Sequence, residues 1–314
     1  MDKAYLNECV GEAMHNYIWT LYFFNSRKRR NSGYIYEGHK VRFTNNADLI
    51  SYSKQLLRAV TEYQLNPLCE VEEYNGFNTK CSCDRLCVND EIISENFTAF
   101  RNSIINAAFA DVKDSYKGYL LEGQPAMDSD GVVITFLRFA NPTAKLKTKK
   151  SVFYKKAEDS SLDEITEQFY RMYLTVDAIL INDQLYNFTH AFERIFDVEQ
   201  TLHKVKAQAI QTIVDAGFIA NGDTFSKYAQ STNARTFITL SNDRIQRASD
   251  ADNRNSIASD FNVPLESNGL FHISESEHTS RLLKYFCYKA FKDSETNELL
   301  EASGITKMSV ADVT

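Results

Sequence analysis

A chain of 314 residues that is 43% hydrophobic and 25% charged, with only 4 prolines and 11 glycines, has the make-up of one large or two ordinary folded domains and excludes a disordered protein. No apolar run reaches membrane-spanning length and the N-terminal "MDKAYLNECVGEAMHNY" has no continuous apolar core, so the sequence predicts neither a span nor a signal peptide, and a cytoplasmic location. Formal charge is −7, but residues 1–150 carry 19 Lys+Arg against 18 Asp+Glu and residues 151–314 carry 16 against 24, so an anionic partner is expected at the first half or its junction.

Two aromatic and β-branched stretches, about Ile18–Phe24 and Tyr34–Phe43, flank "NSRKRRNSG" and read as a β-hairpin with a basic tip. In "NNADLISYSKQLLRAVTEYQ" the residues Leu49, Tyr52, Leu56, Val60 and Tyr63 recur at helical spacing, with Asn45 or Asn46 as N-cap. Residues 65–89 read as a loop holding most of the cysteines. Ile93, Phe97, Phe100, Ile104, Ala108 and Val112 then form one stripe of a long core helix starting at Asp90. "GVVITFLRFA" is a buried strand ended by Asn-Pro, and "NPTAKLKTKKSVFYKK" is a basic linker after which the composition turns acidic. This divides an N-terminal α+β domain, 1–140, from a linker, 141–156, and a C-terminal α+β domain, 157–314.

Beyond the linker, two strands flank Asn182-Asp183, a pair suited to a type I or a type I′ turn. "HAFERIF", "VEQTLHKVKAQAIQTIVDAG" and "RTFITLSNDRIQRAS" have helical spacing, and Gly217 or Gly222 can end a helix in the left-handed conformation. A short strand "GLFHIS", a helix "SEHTSRLLKYFCYKAF" and an edge strand in "ASGITKMSV" complete the chain. The expected class is α+β, with mixed small sheets, hairpins and a mainly helical second half.

The six cysteines read as reduced thiols. Cys81, Cys83 and Cys87 are spaced Cys-x-Cys-x-x-x-Cys, off the paired spacing of a structural zinc site, with Cys69 as the one possible fourth ligand; a cysteine-bearing surface loop is the plainer reading. The histidines are scattered, and the chain has no His-Glu-x-x-His pair, nucleophile elbow or phosphate-cradling glycine loop. Acid-x-lysine pairs such as Asp111 and Lys113 fall in a predicted helix without the further carboxylate that a nuclease metal needs. The sequence therefore assigns no catalytic residue, metal or cofactor.

Two basic runs remain: Arg27, Lys28, Arg29 and Arg30 at the hairpin tip, and Lys145, Lys147, Lys149, Lys150, Lys155 and Lys156 in the linker. Such runs neutralise phosphates, and Phe153 and Tyr154 between the lysines offer surfaces for sugars or unpaired bases. A solvated linker and an ordinary basic turn are the plainer alternative.

An acid before an apolar strand, then "NDQLY", an aromatic and "AFERIF", resembles the signature of the KwaB-like family, the soluble component of the bacterial Kiwa antiphage system. The pattern falls on Asp177, Asn182, Asp183, Tyr186, Phe192, Glu193 and Phe196, which read as scaffold: a hairpin and the helix anchored on it. "LLKYFCYKAFKDSETNELLEASGITK" is similar to the family's closing helix and turn, with Ser294 in place and Thr296 one position early. The resemblance covers mainly residues 150–310; before residue 140 only the order of elements agrees. It implies a defence protein that binds DNA, associates with itself as a dimer or higher oligomer, and works beside a small multi-span membrane partner that recruits it to the inner face of the membrane, blocking phage DNA replication or expression without turnover. A metal-dependent nuclease and an interaction adaptor that does not bind DNA are the rival readings.

Overall fold

The computed structural model describes residues 2–28, 34–74, 83–109, 115–126, 131–144, 153–155, 162–164, 169–288, 290–292 and 299–301. The chain forms two compact units, one of Met1–Glu72 with Cys81–Val198 and the other of Glu73–Lys80 with Glu199–Thr314. The class is α+β, as expected. Residues on both sides of the expected 141–156 linker share one sheet, and the units part at Val198.

The elements of the first unit are α1 (Asp2–Glu12), β1 (Tyr17–Lys28), β2 (Tyr34–Lys40), α2 (Asn46–Ala59, continued by a π-helical turn Val60–Gln64), β3 (Val71–Glu73), β4 (Cys83–Cys87) and α3 (Ser94–Ile105). After these come β5 (Gly118–Pro125), β6 (Ile134–Arg138), β7 (Thr143–Ala144), β8 (Phe153–Lys155), β9 (Leu162–Glu164), β10 (Phe169–Tyr170), β11 (Ala178–Ile181), β12 (Gln184–Asn187) and α4 (Ala191–Ile195). Eight strands make one sheet in the order β2-β1-β5-β6-β11-β12-β4-β3, antiparallel from β2 through β4. The pairs β7–β10 and β8–β9 are separate two-stranded ribbons.

Alternation along β1 decides which helix covers which face. Leu21 and Phe23 point to one side, where Leu6, Cys9 and Val10 of α1 and Leu49, Leu56 and Leu57 of α2 close the core with Leu121, Phe136, Ile179 and Tyr186. Asn45 caps α2, its side chain accepting from the Ala47 N–H. Phe24 points to the other side, meeting Phe100 of α3 edge to face at 5.0 Å. Phe196 binds that aromatic cluster together, with ring centroids 5.4, 5.5 and 6.0 Å from Phe97, Phe100 and Phe139. Each fully buried ring of this kind contributes about 1.5–3 kcal/mol. Close approach of α3 to β2 requires Gly38: a Cβ there would lie 2.6 Å from the Ser103 carbonyl oxygen and 2.8 Å from Ile104 Cδ1.

Several local expectations change. α3 starts at Ser94, because the Asp90 side chain accepts from the Ile92 N–H in a preceding turn, and it ends at Ile105, short of Ala108. The cysteine loop contains β4, whose Cys83 is buried and whose register pairs Cys87 with Gln184, so it is not a surface loop. In the β11–β12 turn only Asn182 has positive φ (53°), the φ signs of a type II′ turn and not of type I or I′. α1 and β5 were not anticipated.

The junction between β6 and β11 is held by Asp177, which is buried. Its carboxylate accepts from Arg138 Nη1 (3.0 Å), the Thr189 hydroxyl (2.9 Å) and the Phe139 N–H (2.6 Å). Its own N–H donates to Leu137 and its carbonyl accepts from Phe188 N–H, both at 2.8 Å. The chain leading into it is pinned as well: the Gln64 side chain donates to the Val176 carbonyl and accepts from its N–H. The Tyr52 hydroxyl donates to the Tyr173 carbonyl, and the Tyr173 N–H donates to the Tyr119 hydroxyl at 2.7 Å. Burial raises both of these phenols above the ordinary tyrosine range, so they act as neutral hydrogen-bonding groups.

The second unit is helical: α5 (Val198–Asp215), α6 (Gly222–Ala229), a 3-10 helix (Ala234–Thr239), α7 (Asn242–Ser249), α8 (Ala251–Phe261) and α9 (Ser276–Phe286), then a ribbon of β13 (Ala290–Lys292) and β14 (Leu299–Glu301). Gly217, at φ 75°, follows α5, whereas Gly222 opens α6. "GLFHIS" is not a strand; Phe271 makes only isolated bridges to Ile219 and Leu265, and its ring fills the core with Phe218, Phe225, Phe237 and Phe286. "ASGITKMSV" lies outside the described residues, as do Ser294 and Thr296. Cations work inside this unit: Lys206 Nζ donates to the carbonyls of Gln230 (2.5 Å) and Thr232 (2.7 Å) just past α6, where the helix dipole is negative.

Two substitutions test this account through urea unfolding followed at Trp19, the single tryptophan, which packs in the first unit. Asp177→Ala strands the Arg138 charge and is expected to cost about 3–5 kcal/mol, against about 1 kcal/mol for Thr189→Ala. Gly38→Ala is expected to cost about 1–3 kcal/mol, because the obstructing atom is helix backbone that cannot rotate away.

Candidate nucleic-acid interface

The β1–β2 hairpin carries the first basic run to its tip, where Arg27 faces Ile35 and Lys28 faces Tyr34 across the ladder. Both cations are exposed, but Lys28 is engaged: its Nζ is 3.1 Å from Asp197 and lies over the Tyr34 ring at 5.7 Å. Arg29 and Arg30 lie outside the described residues. So do Lys145, Lys147, Lys149, Lys150 and Lys156; Lys155 is on β8, in register with Leu162 of β9. The structure thus places Arg27 and Lys28 together at the hairpin tip.

A second basic group, unread in the sequence, occupies the other end of β2. Lys40 N–H donates to the Ala108 carbonyl at 3.0 Å, and Lys40 forms a parallel bridge with Phe109. This draws the chain after α3 alongside the end of β2 and sets Lys40 Nζ 5.1 Å and the Arg42 guanidinium 4.9 Å from the Phe109 ring centroid. Both cations lie over the ring, and Phe109 is nonetheless 52% exposed. Neither cation has an ion pair with a described carboxylate. Lys40 is five positions along from Ile35, the residue facing Arg27, about 17 Å along the outermost strand of the sheet. Cations at that spacing can pair with phosphates, and a half-exposed ring among them can pack on sugars or bases. Sequence reading missed them because Phe109 follows the helical stripe by position, and only the 3-D fold brings it beside Lys40. The one available signal was Lys-Val-Arg at a strand end, where alternation puts both cations on one side.

The residues of the family-like pattern lie in the sheet, its β11–β12 turn and the helix that follows. Asp177 is the buried clasp; Asn182 is the turn residue, donating to the Tyr5 hydroxyl at 3.2 Å; and the Asp183 carbonyl accepts from Val88 N–H. Tyr186, Phe192 and Phe196 are buried, and Glu193 lies 3.2 Å from His190 Nδ1. Among the described residues no three His, Cys, Asp or Glu side chains gather where they could hold a metal; Cys81, Asp111 and Lys113 lie outside them. A groove of about 490 Å³ runs beside α3, floored by Leu120, Leu137 and Leu180 and edged by Arg101 and Glu122.

Comparison with known proteins bears on the same region. Residues 130–285, about half the chain, match the model of the family described as "Kiwa protein KwaB-like". No curated protein and no solved structure matches the chain. The matched interval takes in β6, the Asp177 clasp, the Asn182 turn and the helices through α9 up to its last turn. On that match, the chain belongs to the KwaB-like family.

Proposed function

We propose that this protein binds DNA in antiphage defence and acts without catalytic turnover, beside a membrane partner and as an oligomer. Membership of the KwaB-like family supports the Kiwa-associated defence role. The observation that carries DNA contact is the Lys40–Phe109–Arg42 group, with Arg27 on the neighbouring strand β1, opposite Ile35 near the far end of β2. No described helix is long and apolar enough to cross a membrane, so in this reading membrane recruitment falls to the partner. One observation favours the adaptor reading: in the second unit Arg244, Arg254 and Lys206 donate to backbone carbonyls, while Asp215, Asp223, Asp243 and Asp252 are exposed and available to a basic surface.

Fluorescence anisotropy with labelled DNA across a salt series, with and without magnesium or manganese, separates the readings. Binding is expected, with an affinity that falls linearly on a log–log salt plot; Arg27→Gln, Lys40→Gln and Arg42→Gln together should reduce the slope by about 0.9 for each duplex phosphate that is no longer neutralised. A slope unchanged in the triple variant removes these residues from the interface. DNA that is cut only when metal is added, and protected by a chelator, moves the assignment to a nuclease; no retention at low salt moves it to the adaptor.

A further inference from the structure

We infer that Phe109 is a stacking platform for an unpaired base, so that the interface prefers single-stranded or frayed DNA to intact duplex. The inference rests on the DNA-binding reading above and narrows its ligand. Three observations lead to it. The Phe109 ring is about half exposed although it follows a helix whose other aromatics, Phe97 and Phe100, are buried. It is held in place by backbone, through the Lys40–Ala108 hydrogen bond and the parallel bridge, so presenting the ring costs little further ordering. Lys40 and Arg42 lie over it at 5.1 and 4.9 Å, so positive charge is already gathered where a base with its phosphates would dock.

A duplex has its base faces occupied by neighbouring pairs, so it can offer phosphates to Lys40 and Arg42 but no free face to the ring. An unpaired nucleotide offers both: its base packs on the exposed part of the Phe109 ring while the phosphates on either side reach the two cations. Lys40 and Arg42 are two residues apart, about 7 Å along extended chain, which suits successive phosphates of a stretched strand. The guanidinium of Arg42 adds a second planar surface for a neighbouring base. Stacking is indifferent to base identity, because every base has a π face, so the site selects strandedness and not sequence.

The test uses the full chain and labelled oligo-dT of about 20 nucleotides beside a blunt duplex of the same length, with Phe109→Leu and Phe109→Trp. Phe109→Leu keeps an apolar side chain and removes the flat ring; at a half-exposed position the thermal midpoint should not move. Single-strand binding is expected to weaken about tenfold and duplex binding less than about twofold. Phe109→Trp should restore single-strand affinity, and the new indole should be quenched by oligo-dT. If Phe109→Leu leaves both affinities unchanged, or weakens both equally, while Lys40→Gln and Arg42→Gln still weaken binding, the stacking inference is overturned and the DNA-binding reading stands. If neither DNA is retained at low salt, both are overturned.

Discussion

The first unit depends on one buried carboxylate. Asp177 accepts three hydrogen bonds at the seam where β6 meets β11, and its Arg138 partner has its own guanidinium over the Tyr173 ring at 5.0 Å. A charge removed from water is tolerable only when its lone pairs are satisfied, and here side chain, hydroxyl and backbone together do so. The seam matters because of the strand order. β4 precedes α3 in the chain, yet it lies beyond β12, with Cys87 opposite Gln184. The sheet is therefore incomplete until β11 and β12 enter between β6 and β4, late in sequence and at high loop-closure cost. Asp177 stands at the entry point, with Gln64, Tyr52 and Tyr119 aligning the chain just before it.

This arrangement explains why half of the fold was legible and half was not. The β1–β2 hairpin, the Asn45 cap of α2 and the strands around Asn182 are local: each is signalled by alternation, a capping side chain or a turn residue within a few positions. β4 and β5 carry no such signal. β4 is the short "CDRLC", strand-like because β12 and β3 flank it, and β5 has glycines that break its apolar pattern, one of which, Gly118, leaves room for the Phe24 ring. α1 was overlooked because only Leu6, Cys9, Val10 and Ala13 of its stretch are buried, a narrow stripe on an otherwise polar helix. "GLFHIS" failed in the opposite sense: its apolar residues are buried by helices, not paired by strands. The candidate site was partly legible, since the basic hairpin tip was read while the Lys40–Phe109 pairing depends on a long-range backbone contact.

Cation counts in a sequence overstate the charge available to a ligand. Lys28 is tied to Asp197, Arg138 to Asp177, Lys206 to two carbonyls, and Arg244 lies over the rings of Tyr285 and Tyr288. Each of these is held by a partner within the fold, and each is correspondingly less able to turn outward. Lys40 and Arg42 differ because their nearest described partner is an aromatic face, which attracts cations weakly and leaves their hydrogen-bonding protons available to water or an anion.

The bridge between Lys40 and Phe109 has a second consequence, for the sheet itself. β2 is an outermost strand, and such strands are templates for pairing with another chain. Where the 108–109 segment lies against it, the Lys40 N–H is already taken, so an incoming strand cannot continue its ladder past that residue without peeling the segment away. Peeling would also withdraw Phe109 from its cations. Resistance to unwanted sheet growth and the geometry of the cation–aromatic group are thus maintained by the same few atoms, and a variant that loosens this segment would lose that group and the protected edge together.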